Sequence, residues 1–182
     1  VRIIAGRYKG RRLTAPPGIE TRPTSDRARQ ALFDMLMHAP WAEGCITGAA
    51  VLDAFAGTGA LGLEALSRGA ASAAFIENGR PALAALRANI AACGAGDLCR
   101  VVVAEARTPP RGTACGLVFL DPPYGQGLVP AGVAALTKAG WVADNALIIA
   151  EVAAAEPPPT EATLLAERRL GAARLCIWRH DG

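Results

Sequence analysis

Histidine is scarce in this 182-residue chain: His38 and His180 are the only two, and the second stands at the extreme terminus. Histidine-based hydrolysis and histidine-rich metal chemistry therefore have little material to work with. The five cysteines (Cys45, Cys93, Cys99, Cys115 and Cys176) are odd in number, scattered and never spaced C-x-x-C, so neither a disulfide framework nor a structural zinc site is indicated, and no metal is expected. No apolar run reaches the eighteen or so residues of a membrane span, and the arginine-rich start lacks the hydrophobic core of a signal peptide, so a cytoplasmic protein without a membrane partner is expected. No Gly-Lys-Ser/Thr follows the glycine-rich turn described below, which removes the best support for ATP hydrolysis.

What remains is ample for a core. Apolar residues make up 52% of the chain, with 20 glycines and 13 prolines, which excludes disorder, collagen and coiled coil and fits one soluble domain with a short appendage. A net charge of +3 is too small to announce a nucleic-acid partner, but its distribution is uneven. The first thirty residues hold eight basic side chains (Arg2, Arg7, Lys9, Arg11, Arg12, Arg22, Arg27, Arg29) against Glu20 and Asp26, a local excess of +6. One end is positive and the remainder slightly acidic.

The opening, Arg2 to Leu13, reads as a hairpin with Gly6 and Gly10 at its bends. After Pro16-Pro17-Gly18, residues Ala28, Ala31, Leu32, Met35 and Leu36 recur at helical spacing, with Thr24 or Ser25 as a cap. From residue 50 strand and helix alternate: strands over Ala50–Asp53, Ala71–Glu77, Cys99–Ala104, Gly116–Asp121 and Ala146–Val152, with helices after Gly59, over Pro81–Ala92 and over Leu128–Gly140. Glu156-Pro157-Pro158-Pro159 reads as a surface loop. Thr163–Leu170 and Arg174–Trp178, joined through Gly171-Ala172-Ala173, read as an antiparallel pair. The expected fold is α/β: a mostly parallel, seven-stranded sheet with helices on both faces and a terminal antiparallel hairpin, plus a small N-terminal hairpin and helix. Residues 1–40 form the basic extension and 41–182 the main domain.

Two constellations carry chemistry. Gly57, Gly59 and Gly62 stand at G-x-G-x-x-G spacing between a strand and a helix, and Glu77 ends the next strand, where an acid meets a ribose hydroxyl pair. A dinucleotide or another adenosine-containing cofactor could use this turn. Asp53 at the mouth of the first strand weighs against a pyrophosphate and favours a cationic amino acid group, as in S-adenosylmethionine.

The second is Asp121-Pro122-Pro123-Tyr124, at the mouth of the fourth strand. An exocyclic amine on a base is a weak nucleophile because its lone pair is delocalised into the ring. Asp121 and the Pro122 carbonyl can accept its two hydrogens and orient the lone pair, while Tyr124 stacks on a base turned out of its helix.

With both in view, the chain resembles the class I S-adenosylmethionine-dependent methyltransferases that act on amines. More closely it resembles the bacterial RsmD family, which methylates the guanine N2 amine of one nucleotide in small-subunit ribosomal RNA. The match rests on Arg2-Ile3-Ile4-Ala5-Gly6 with Lys9-Gly10-Arg11-Arg12-Leu13, on Thr21 to Arg27 through Phe33, on Asp53 to Gly69, and on Asp121 to Tyr124. The resemblance implies a Rossmann-like fold with S-adenosylmethionine held by Asp53, Phe55, Gly57, Gly59, Glu77, Asn78 and Glu105. It implies an amine pocket of Asp121, Pro122, Pro123 and Tyr124, and an RNA surface including Arg2, Arg7, Arg11, Arg22, Thr24 and Arg27. Asn78 and Glu105 depart from the acids usual at those places, which alters cofactor contacts without abolishing them. The implied partner is small-subunit ribosomal RNA, within the small subunit or an assembly intermediate, and the chain is expected to act as a monomer.

The bunched basic residues favour a collective phosphate-binding face over a merely solvated one. Phe33, Leu32 and Met35 read as core, Trp41, Trp141 and Trp178 as packing or loop residues, and His38 as a helix-end residue. Amine methylation needs no strong general base, and a cysteine nucleophile is disfavoured. Competing readings are an adenine-N6 or protein glutamine-amide methyltransferase, an NAD-dependent oxidoreductase, and a non-catalytic RNA-binding assembly factor.

Overall fold

In the computed structural model, which describes residues 1–17, 26–123, 126–157 and 164–182, one seven-stranded sheet organises the chain. Its strands are β1 (Ala50–Ala54), β2 (Ser72–Glu77), β3 (Cys99–Val103), β4 (Cys115–Leu120), β5 (Val142–Ala153), β6 (Leu164–Leu170) and β7 (Ala173–Arg179). The helices are α1 (Asp26–His38), α2 (Ala60–Ser67), α3 (Arg80–Ala92) and α4 (Leu128–Lys138), with short 3-10 turns at Pro40–Ala42 and Gly96–Leu98. The order β3-β2-β1-β4-β5-β7-β6 has β7 antiparallel to both neighbours and the first five strands parallel, as expected from the alternation of strand and helix. The chain reverses its direction of travel across the sheet between β1 and β4, which opens a crevice at the carboxyl ends of those two strands.

Side chains alternate across the sheet, so each strand feeds two cores. Val51, Phe75, Phe119, Leu147, Ile149 and Ile177 face α1, α2 and α3. Leu52, Ile76, Val118, Leu120, Ile148 and Trp178 face α4 and Trp141. The central strands β1, β2 and β4 are short and almost continuously apolar because both faces are buried.

Three local readings are corrected. The opening is a looser hairpin than a two-stranded ladder: it has one antiparallel bridge, Arg2 with Arg12, supported by Ile3 N–H to Arg11 O and Gly10 N–H to Ile3 O at 2.9 Å each. The fifth strand starts at Val142, four residues before its apolar run, because Val142 pairs with Cys115 ahead of a register shift where Asn145 takes a positive φ of 59°. Ala173 belongs to β7, so the last turn is only Gly171-Ala172, with Gly171 left-handed at φ 64°. The proposed caps Thr24 and Ser25, the loop residues Pro158 and Pro159, and the strand residue Thr163 lie outside the described residues. Trp141 and Trp178 are buried core, whereas His38 ends α1 on the surface.

The N-terminal segment is bound to the sheet through α2. Glu64 is fully buried, and its carboxylate accepts the Ile4 amide at 2.8 Å, the Ala5 amide at 3.1 Å and Arg68 Nε at 2.8 Å. Arg29 is also buried: it donates to Asp26 at 2.6 Å and to the Arg2 carbonyl at 2.7 Å, and lies 3.8 Å from Glu64. Arg29 thus leaves the basic surface group and serves as an internal tie. Ser67 adds a further link, accepting the Tyr8 amide at 2.9 Å and donating to the Ala5 carbonyl at 2.5 Å.

Truncating Glu64 strands two backbone amides and two guanidinium partners in a dry interior. The variant Glu64→Ala is expected to lose about 3–5 kcal/mol in urea unfolding; a loss under about 1 kcal/mol would show that this carboxylate does not anchor the segment.

Candidate functional site

The crevice at the carboxyl ends of β1 and β4 gathers most of the residues expected from the motifs. Asp53 stands in β1, one residue before the end of the strand, and is buried with its Oδ2 accepting the Gly62 amide at 2.9 Å. Gly62 must lack a side chain here: a Cβ would lie 2.5 Å from the Phe75 ring and 3.3 Å from Asp53 Cβ. The turn itself needs left-handed backbone, with Gly57 at φ 55° and Gly59 at φ 78°, and the latter caps α2. Phe55 also holds a positive φ, 60°, which is strained for a residue with a side chain; a Cβ on Gly132 of α4 would lie 3.5 Å from its ring.

Glu77 closes the other side of the turn. Its Oε2 accepts the Gly57 amide at 2.8 Å, and its Oε1 accepts the amides of Asn78 at 2.9 Å and Gly79 at 2.8 Å. The carboxylate is thereby fixed at the end of β2 with the exposed Asn78 beside it. Glu105 lies past the end of β3 and pairs with Arg107, which holds its carboxyl below the usual range. Across the crevice, Asp121 is half-buried immediately after β4, with Pro122 buried and Pro123 exposed.

Burial pushes the Asp53 carboxyl from an ordinary 3.8 up to about 8, opposed by the Gly62 hydrogen bond and reinforced by the negative charges of Asp121 and Glu77. The mouth is an acidic pocket, and among the described residues no cationic side chain is paired with Asp53. A cationic ligand that draws off the Asp53 proton and pairs with the carboxylate is favoured there, and a pyrophosphate beside these acids is disfavoured. The left-handed glycines, the buried Asp53 and Glu77 at the end of β2 together fit S-adenosylmethionine.

Several expected residues stand elsewhere. Arg2, Arg7, Arg11 and Arg27 are exposed on the N-terminal segment and α1. Arg2 is 3.5 Å from Asp26; Arg7 donates to the Leu66 carbonyl at 3.2 and 3.3 Å and stacks over Tyr8. Arg22, Thr24 and Tyr124 lie outside the described residues. All five cysteines are free, and burial raises the thiols of Cys99 to about 12 and Cys115 to about 11, so these two stay protonated at neutral pH. Among the described residues no group of acids, cysteines and histidines could hold a metal, and no helix is long and apolar enough to cross a membrane.

Motif reading missed Asn89. Buried in α3, it accepts the Thr14 amide at 2.7 Å and donates to the carbonyls of Thr14 at 3.0 Å and Thr58 at 2.9 Å. One amide therefore joins the basic segment to the glycine turn. The signal was an asparagine within the apolar stripe of Leu83, Leu86 and Ile90.

Fold and site together define a class I, S-adenosylmethionine-dependent methyltransferase. Comparison with known proteins narrows the class. The family called Conserved hypothetical protein 95 matches residues 1–179. Ribosomal RNA small subunit methyltransferase D of Escherichia coli is 44% identical over 153 residues, 83% of this chain and 74% of its own length. The Haemophilus influenzae protein of the same name is 34% identical over 178 residues, covering 94% and 89%. A solved Escherichia coli structure, itself of a proposed methyltransferase, superposes with a TM-score of 0.83 at 39% identity, covering 100% of this chain and 98% of that one. The chain belongs to the family of ribosomal RNA small subunit methyltransferase D.

The raised Asp53 carboxyl has a sign opposite to that of most structural acids. Between about pH 4 and 8 the folded protein holds a proton that the unfolded chain has released, so this group lowers stability as pH rises through that window. Asp53→Asn is expected to flatten the fall of the melting midpoint between pH 5 and 8; an unchanged pH profile in differential scanning fluorimetry would place the ionised carboxylate in the native state throughout.

Proposed function

We propose that this protein transfers the methyl group of S-adenosylmethionine to the exocyclic N2 amine of a guanine in small-subunit ribosomal RNA. The observation that carries the reading is Asp121-Pro122-Pro123 at the end of β4, across the switch point from the buried Asp53 and electrostatically coupled to it. The name shared by the relatives supports the RNA, and the amine-accepting pair supports the kind of atom methylated.

The cofactor supplies a methyl group activated on a sulfonium. Asp53 binds the cationic methionine end; Gly57 and Gly59 let the backbone approach closely, Glu77 takes the ribose hydroxyls, and Phe55, Asn78 and Glu105 complete that side. The Asp121 carboxylate and the Pro122 carbonyl accept the two amine hydrogens and turn the nitrogen lone pair toward the incoming carbon. Pro122 and Pro123 restrict the direction of that carbonyl, and Tyr124 stacks on the base. The amine proton leaves during or after transfer, held meanwhile by Asp121. An acidic mouth repels phosphate, so RNA backbone must be met elsewhere, by Arg2, Arg7, Arg11, Arg22, Thr24 and Arg27 of an RNA-facing unit spanning residues 1–40, with residues 41–182 as the catalytic domain. The substrate is the small subunit or its assembly intermediate, met in the cytoplasm by a monomer.

The test is tritiated methyl transfer to undermethylated small subunits, naked small-subunit RNA and free protein, followed by nucleoside mass spectrometry. N2-methylguanosine on subunits is expected, with Asp121→Ala at least about 10²-fold slower. Label on adenine or protein would replace the substrate, and cofactor binding without transfer would favour an assembly factor.

A further inference from the structure

The mouth of the sheet carries a fourth carboxylate that the site described so far does not use. β4 and β5 run parallel with Leu120 opposite Ala150, so the next residues along, Asp121 and Glu151, are neighbours at the same height. Both follow residues of one face, Phe119 and Ile149, which point toward α1. They line the same apolar cavity, together with Ala28 and Leu32 of α1 and Leu170 and Leu175 of the terminal hairpin. Glu151 is half-buried there. Parallel neighbours stand about 4.8 Å apart, and glutamate has one carbon more of reach than aspartate. A planar group held by Asp121 at one edge atom therefore presents its adjacent edge atom to Glu151.

The chemistry of that adjacent atom differs among bases. On guanine the 2-amine is flanked by N1–H, a donor, on its Watson–Crick side and by N3, an acceptor, on the other; it is the Watson–Crick neighbour that distinguishes the bases. On adenine the 6-amine is flanked by N1, and on cytosine the 4-amine is flanked by N3; each is a bare acceptor. A carboxylate accepts a hydrogen bond from the first and repels the lone pair of the others, and an apolar lining strengthens both effects. Resting on the guanine reading above, we propose that Glu151 accepts the N1–H of the target guanine and so selects guanine over bases whose amine neighbours a ring acceptor. Asp121 and Pro122 define an amine; Glu151 defines which amine.

The test uses small subunits reconstituted with ribosomal RNA that carries, at the methylated position, either guanosine or 2-aminopurine riboside. The analogue keeps the 2-amine but turns N1–H into an acceptor. Wild-type protein is expected to prefer guanosine by about 10²-fold or more in kcat/KM. In Glu151→Gln, whose amide can donate to the acceptor nitrogen, that preference is expected to narrow by at least about 10-fold while cofactor affinity stays at the wild-type value. A role confined to structure would lower both rates together and leave the preference unchanged, which overturns the assignment. Wild-type protein that methylates both RNAs equally overturns it without any variant, so a Glu151→Gln protein that fails to fold does not rescue it. Wild-type protein that transfers nothing to guanosine defeats the guanine reading itself, an outcome distinct from loss of the Glu151 role alone.

Discussion

The parallel register of β2, β1, β4 and β5 constrains everything at the mouth of the sheet. Ala54 lies opposite both Ile76 and Leu120, and Leu120 lies opposite Ala150, so these four positions are level across four neighbours. Alternation then sends Asp53, Glu77, Asp121 and Glu151 to the same face. Four acidic side chains are thereby brought to one edge by a sheet whose central strands are buried on both sides. The consequence is seen at Asp53, whose carboxyl is pushed up to about 8 by burial and by its charged neighbours. Such an edge invites a cation and rows of N–H or O–H donors, and turns phosphate away.

Rejecting phosphate is a difficulty for the proposed RNA substrate, and the chain separates its charges. Its basic excess sits in the first thirty residues, ahead of β1 in the chain. Two buried polar groups join that segment to the crevice. Glu64, in the helix that follows the glycine turn, receives Ile4 and Ala5; Asn89, in the next helix, receives Thr14 and holds the Thr58 carbonyl of the turn. The basic N-terminal backbone and the backbone of the glycine turn are thus cross-linked through hydrogen bonds to buried side chains, where each bond is worth more than in water. Loss of one partner leaves several groups unpaired, which makes the joint stiff.

Much of this was legible in the sequence. Alternating apolar runs and glycine or proline breaks marked all seven strands and four helices, and the spacing of Gly57, Gly59 and Gly62 located the turn. The late start assigned to β5 came from Asp144 and Asn145, polar residues at a bulge that interrupt the apolar pattern. Arg29 counted as one of eight surface cations because its local partner, Asp26 three residues back in α1, is equally available to a surface arginine; the partners that bury it, Glu64 and the Arg2 carbonyl, come from other elements. Glu64 and Asn89 were hidden for the same reason. Glu151 was different, since its signal was local: Leu52-Asp53, Ile76-Glu77, Leu120-Asp121 and Ala150-Glu151 are four places where an acid follows the apolar run of a parallel strand. Only three of those acids fell inside familiar motifs.

The proposed division of labour along that edge has Asp53 and Glu77 holding the cofactor and Asp121 holding the amine. Calorimetric titration of S-adenosylhomocysteine into wild-type protein, Glu77→Gln and Asp121→Ala separates these roles directly. The account predicts that Glu77→Gln binds about 10-fold or more weakly while Asp121→Ala binds as the wild type does. Cofactor affinity lost in Asp121→Ala and kept in Glu77→Gln would contradict it.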